Sequence, residues 1–263
     1  MNIEKLLTIF LVGMAAQLVD GTLGMGYGVT SSTLLISLGI YPALVSASVH
    51  MAEVVTSLVS GAAHLRLGNT HRDLWVPLAL AGMVGGVFGA VGLVTLPLQP
   101  IRIIVGVVLL AMGAVIVYRF IGRRSRSLES VERLYRAENS YSRYKLVGLG
   151  LFAACIDALG GGGWGPICTP SLVVTGSNPR SAVGSVNLAE FFVTVAITIT
   201  FIILVGFEAF RWDIVLVLIL AGLVSAPLSA WLCRRMPQQW LGILIGLLII
   251  ILSVRTIVLA LVS

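Results

Sequence analysis

Asp20-Gly21-Thr22-Leu23-Gly24-Met25-Gly26-Tyr27-Gly28 and Asp157-Ala158-Leu159-Gly160-Gly161-Gly162-Gly163-Trp164-Gly165 are the two stretches whose reading decides the fold. Each interrupts an unusually long apolar block, 5–39 and 144–176. A continuous helix of 35 residues would be about 52 Å long, far more than the roughly 30 Å hydrocarbon core of a bilayer. Glycine disfavours helix interiors, and Pro166 suits the first turn of a new helix. Each block is therefore expected to form two half-helices joined by unwound backbone.

The two stretches are copies. At an offset of 137 residues, Asp20 meets Asp157 and Glu53 meets Glu190. Between Gly13 and Glu53 the alignment needs no gap, and 13 of 41 positions are identical. Ordinary residue usage would give roughly three. After a three-residue insertion the offset is 140, and Asp73, Gly82, Pro97 and Gly106 meet Asp213, Gly222, Pro237 and Gly246. The chain divides into an N-terminal repeat (1–121), a linker (122–143) and a C-terminal repeat (144–263). Beyond its broken block, each repeat holds three blocks of spanning length: 42–62, 74–96 and 101–121, then 179–206, 213–233 and 238–260. The N-terminal apolar run has a counterpart inside the second half, so it reads as a first span rather than a cleaved leader.

Composition sets the solvent. Of 263 residues, 58% are hydrophobic and 11% charged, with mean hydropathy +1.04. About a quarter of a soluble domain is normally charged, so most of this surface must face lipid. The fold expected is an all-α polytopic membrane protein. Eight of the seventeen Lys and Arg residues fall between Arg119 and Lys145. That clustering argues for a cytoplasmic linker under the positive-inside rule, and against nucleic acid as a partner. With the linker inside, parallel and inverted repeats both place thirteen basic residues inside and four outside, so charge does not choose. Block length and the transporter precedent favour inversion. Cys155, Cys168 and Cys233 have no metal-ligand spacing and read as buried hydrophobes. No metal or cofactor is expected.

Eleven residues are acidic, and four of them, Asp20, Asp157, Glu53 and Glu190, lie inside apolar blocks at matching positions. A carboxylate in hydrocarbon needs a partner, the bundle interior or water. Asp20 and Asp157 immediately precede the breaks, where they either cap the next half-helix or take part in transport. Glu53 and Glu190 sit mid-block, as proton-exchanging or structural acids. His50 and Asn187 are repeat partners three residues earlier and share a helix face with them, near Ser48 and Ser185. Unwound glycine backbone beside a helix start offers N–H groups and a positive dipole end to an anion. Gly24, Gly26, Gly28, Gly161, Gly162, Gly163 and Gly165 are the candidate binding backbone, with Tyr27 and Trp164 as walls or gates. The glycines lack the Gly-Lys-Ser/Thr and βαβ context of a nucleotide loop. No histidine lies near Cys155 or Cys168 in sequence, which argues against an intramembrane enzyme.

A glycine-rich break, then Pro42, Ser48 and Glu53, repeated as Gly160–Pro166, Pro179, Ser185 and Glu190, resembles the TauE/SafE family of sulfite and organosulfonate exporters over essentially the whole chain. The resemblance implies a secondary transporter of small sulfur-containing or organic anions such as sulfite, sulfoacetate or thiosulfate. It implies a multi-pass protein of the bacterial inner membrane, with the anion and the lipid bilayer as partners and a homodimer as one assembly open to it. Met25 and Tyr27 stand where the second break has Gly162 and Trp164, so the second break is expected to supply more backbone donors. An anion or neutral-solute channel is the alternative reading.

Overall fold

The computed structural model describes residues 3–37, 42–95, 142–160 and 162–262, together with scattered helical residues between 107 and 121. Every described element is a helix. α1 (Ile3–Leu23) and α2 (Tyr27–Ser37) come from the first broken block, followed by α3 (Pro42–Arg66) and α4 (Arg72–Thr95). α5 (Arg143–Gly160) and α6 (Trp164–Thr175) come from the second, followed by α7 (Pro179–Val205), a short 3-10 turn (Phe207–Ala209), α8 (Trp212–Arg235) and α9 (Gln238–Val262). Five of these, α1, α3, α4, α7 and α8, are long and apolar enough to cross a membrane. The basic linker up to residue 141, and most of block 101–121, lie outside the described residues.

The broken blocks differ from expectation. They are not pairs of half-helices. At 21 and 18 residues, α1 and α5 are roughly 31 and 27 Å long, whereas α2 and α6, at 11 and 12 residues, reach only about 17 and 18 Å. The glycines thus end a helix of nearly full crossing length and start a short one. The physical reason is where the apolar run permits unbroken intrahelical bonding. No glycine cluster or proline interrupts the chain before Asp20 or Asp157, so the helices run on past these acids to Leu23 and Gly160.

α3 and α7 lie side by side at the centre. Ser57 stands opposite Thr194, Ser60 bonds Asn187, and Gly61 packs on the backbone of Leu188. Residue numbers rise along one helix as they fall along the other, so the two run antiparallel. Ser57 and Thr194 are themselves 137 residues apart. Corresponding spans running in opposite directions are what inverted repeats require.

Around this pair the halves interlock. α1 packs along α8, with Gly13 against Leu218 and Ala221 and Gly21 against Ser229. α5 packs along α4, with Gly150 against Leu78 and Ala81 and Gly89 against Ala158. Under the offsets of 137 and 140, the first set of contacts corresponds to the second. Hydroxyl caps exchange in the same way. Ser185 Oγ accepts from His71 N at 2.8 Å, where α4 starts, and Ser48 Oγ accepts from Arg211 N at 3.1 Å, where α8 starts.

Small residues make this close fit work, as is general for helices packed in lipid. A Cβ at Gly85 would overlap the Leu151 carbonyl of α5, while one at Gly148 would meet nothing within 4 Å. Gly85→Ala is therefore expected to destabilise by about 1–3 kcal/mol, the usual cost of overpacking. Gly148→Ala, on the same interface partner, is expected to leave the thermal midpoint in detergent unchanged or slightly raised. Equal midpoints for the two variants would contradict the described α4–α5 contact.

Candidate functional site

The breaks meet each other. Gly162, at φ +150°, leaves no room for a side chain because the backbone of Gly28 and Val29 fills the space. Gly165 lies in the same way against Gly24 and Met25. Thr169 Oγ1 donates to the Gly24 carbonyl at 2.7 Å. The two interruptions thus pack backbone on backbone, each with its short helix leading away. Buried main-chain groups must find partners, and the acids that precede the breaks supply them.

Asp157 Oδ1 accepts from Gly163 N at 2.6 Å and Trp164 N at 3.1 Å, capping α6. Asp20 Oδ1 takes the corresponding place before α2, but stands 3.5 Å from Tyr27 N. His50 Nε2 lies 3.1 Å from Asp157 Oδ2 and 3.9 Å from Glu53 Oε2. His50 Nδ1 lies 2.8 Å from the Ser46 carbonyl, so that nitrogen carries the proton in this contact. Asn187 occupies the corresponding position in α7. Its Nδ2 donates to the Val183 carbonyl at 3.2 Å and approaches the Asp20 carbonyl at 3.5 Å, while its Oδ1 accepts from Ser60 Oγ at 2.7 Å. Glu190 is buried within electrostatic reach of Asp20, Glu53 and Asp157. The four acids therefore form one cluster around the meeting breaks. Among the described residues, no lysine or arginine is buried.

α3 carries more of this site than its sequence reading suggested. Ser46, His50, Glu53, Ser57, Ser60 and His64 follow one another at intervals of three and four and are all buried, which makes one polar stripe. Ser46 Oγ donates to the Ala158 carbonyl at 3.1 Å, at the end of α5. Ser57 Oγ donates to the Glu53 carbonyl. His64 Nε2 bonds the Gly21 carbonyl at 2.7 Å, near the end of α1. The stripe thus ties down the ends of both broken helices. The equivalents on α7 are Val183, Asn187, Glu190, Thr194, Ile197 and Phe201, of which three are apolar. Ser46, Ser60 and His64 are not marked by the repeat register, because their counterparts Val183, Ile197 and Phe201 are apolar. Helical spacing within α3 alone was the signal that would have found them.

The other candidates separate. Gly24, Gly26, Gly28, Gly162, Gly163 and Gly165 stand at the meeting point; Gly161 lies outside the described residues. Trp164 is buried, with Nε1 donating to the Val186 carbonyl at 3.1 Å. Tyr27 is buried near Glu53, and its hydroxyl faces the Thr56 hydroxyl without closing to hydrogen-bond distance. Ser48 and Ser185 are committed to the loop caps described above rather than to the breaks. Their position on α3 and α7, before His50 and Asn187, turns them toward those loops. At the second break, expected to offer more backbone donors, Gly161 lies outside the described residues. Two N–H groups of that break are already held by Asp157.

Asp157 makes two short backbone bonds and a histidine contact, where Asp20 makes one long bond. Asp157→Ala is expected to cost about 2–4 kcal/mol, combining a lost cap and a buried polar group left unpaired. Asp20→Ala is expected to cost about 1 kcal/mol or less. Thermal unfolding of the two purified variants side by side checks this, and equal losses would refute the unequal capping.

The family model described as "Sulfite exporter TauE/SafE" matches residues 9–256. A Bacillus subtilis (strain 168) protein described as "Probable membrane transporter protein YtnM" is 38% identical over 256 residues, covering 97% of this chain and 83% of that protein. No solved structure gives a significant match.

Proposed function

The chain belongs to the sulfite exporter TauE/SafE family and is a multi-pass membrane transporter of that type; from that premise we propose a proton-linked secondary carrier of small sulfur-containing or organic anions. The observation that carries the proposal is the meeting of two interrupted helices beside four buried carboxylates, with no buried lysine or arginine among the described residues. Interrupted helices at the interface of two halves are a recurrent substrate site in carriers, because they present unpaired backbone groups away from lipid. A helix start there binds an anion through N–H groups and the dipole.

The carboxylates then set a condition. An anion entering beside ionised acids meets repulsion, which in a poorly screened interior amounts to several kcal/mol. Proton uptake by the cluster removes that repulsion. Anion and proton binding are therefore linked, and linkage is reciprocal. The sign follows: an anion favours protonation of the cluster, so lowering the pH tightens anion binding. Glu53 and Glu190 are the acids proposed to exchange these protons, since Asp157 is committed to the α6 cap and His50. Sulfite, thiosulfate and sulfoacetate are the substrates of first choice, and the basic linker is placed in the cytoplasm.

Antiparallel α3 and α7 would let the packed pairs α1–α8 and α4–α5 rock about them and open the breaks alternately to each side. A carrier working in this way passes no large unitary current, which separates it from a channel in electrical recordings. In proteoliposomes, sulfite or thiosulfate uptake is expected to rise several-fold between pH 8 and pH 6. The rise should flatten in the Glu53→Gln, Glu190→Gln double variant. Unchanged pH dependence in that variant would remove both acids from the coupling role.

A further inference from the structure

The two breaks are unequal in what they leave unpaired. At the second, Asp157 holds the Gly163 and Trp164 N–H groups, His50 faces the other carboxylate oxygen, and the Trp164 indole donates to Val186. At the first, Tyr27 N is 3.5 Å from Asp20 Oδ1, the outer limit of a hydrogen bond. No histidine faces that carboxylate. Asn187, which corresponds to His50, sends its amide to main-chain carbonyls instead.

Two buried hydroxyls then stand without partners on α2. Tyr27 is 2% exposed and Ser31 is 1% exposed, and neither side-chain oxygen makes a hydrogen bond. They are four residues apart and share a helix face. Helical side chains lean toward the N-terminus of their helix, so Ser31 leans back toward the break. The corresponding residues of the second half are Trp164 and Cys168, which carry no hydroxyl. A buried, unpaired hydroxyl loses its hydration without replacement and is destabilising. Two on one face of one short helix call for a ligand that pairs with them.

We propose that the start of α2 alone is the half-site that receives the anion. The ligand is an oxyanion with at least two acceptor oxygens, of the sulfite or sulfonate class. Tyr27 and Ser31 donate their hydroxyls to it, and the Tyr27 N–H joins them once Asp20 takes up a proton and releases that N–H. The second break, with its donors committed, is the fixed wall against which α2 is set. This assignment rests on the carrier reading and narrows it to one half.

The test uses the full-length protein in detergent, titrated at pH 6 with thiosulfate and, separately, sulfoacetate, and followed by the shift in thermal midpoint. Tyr27→Phe and Ser31→Ala are each expected to weaken binding about tenfold, the usual effect of removing a hydrogen bond to a charged group. Cys168→Ala, the matching change in the other half, is expected to leave affinity within twofold. Without anion, Tyr27→Phe and Ser31→Ala should melt no earlier than wild type, because each removes an unpaired group; a structural role would instead lower the midpoint. Wild-type affinity in both α2 variants would overturn the half-site while leaving the carrier reading intact. An equal loss in Cys168→Ala would also overturn it. If wild type binds neither anion between pH 5 and 8, the carrier reading falls and the half-site with it.

Discussion

Two stretches of interrupted backbone packed against each other are the constraint on which the rest of the molecule depends. Gly162 on Gly28, and Gly165 on Gly24 and Met25, approach so closely that no side chain fits between them. In a lipid-facing protein, the main-chain groups freed at such interruptions have no water to turn to. The neighbouring acids, Thr169 and the polar stripe of α3 are the answers the fold supplies. Without the close approach there would be no reason to bury Asp157 beside Gly163, or to bring His64 to Gly21 and Ser46 to Ala158.

The halves meet this constraint in different ways. In the second, a carboxylate, two backbone N–H groups and an imidazole close a compact set of contacts with short distances. In the first, the corresponding carboxylate is only loosely engaged, and the compensating polarity has moved onto α3, where Ser60 and His64 stand opposite to the Ile197 and Phe201 of α7 in the register. The second break is thereby satisfied, and beside the first the Tyr27 and Ser31 hydroxyls make no hydrogen bond. The proposed mechanism uses this division by receiving the anion where hydroxyls are free.

The charge balance follows from the same packing. Asp20, Glu53, Asp157 and Glu190 come from four different helices, α1, α3, α5 and α7, and converge because α3 and α7 cross at the centre while α1 and α5 end there. Of the buried histidines, His50 is the one in contact with these acids, and no lysine or arginine is buried among the described residues. Protons are the remaining counter-charge for an anionic cargo at this point, which is why coupling and recognition belong to one place in the proposed mechanism.

Composition and periodicity determined the membrane class, the helical nature of the described blocks and the extent of α3, α4, α7, α8 and α9 to within a few residues, because hydropathy and proline or glycine punctuation act locally. The register between Asp20 and Asp157, and between Glu53 and Glu190, picked the buried acids from the chain, since a carboxylate in an apolar block is costly wherever it lies. Other features are properties of contacts between distant segments. Only the tertiary structure decided that each break follows a helix of nearly full length, that Ser48 and Ser185 serve the loops before α8 and α4, and that His50 turns to Asp157 across 107 residues as well as to Glu53. It also decided that Asp157 takes up two N–H groups of the glycine-richer break. Glycine count reports how closely backbones can approach, but whether an N–H is free depends on which carboxylate the fold brings to it.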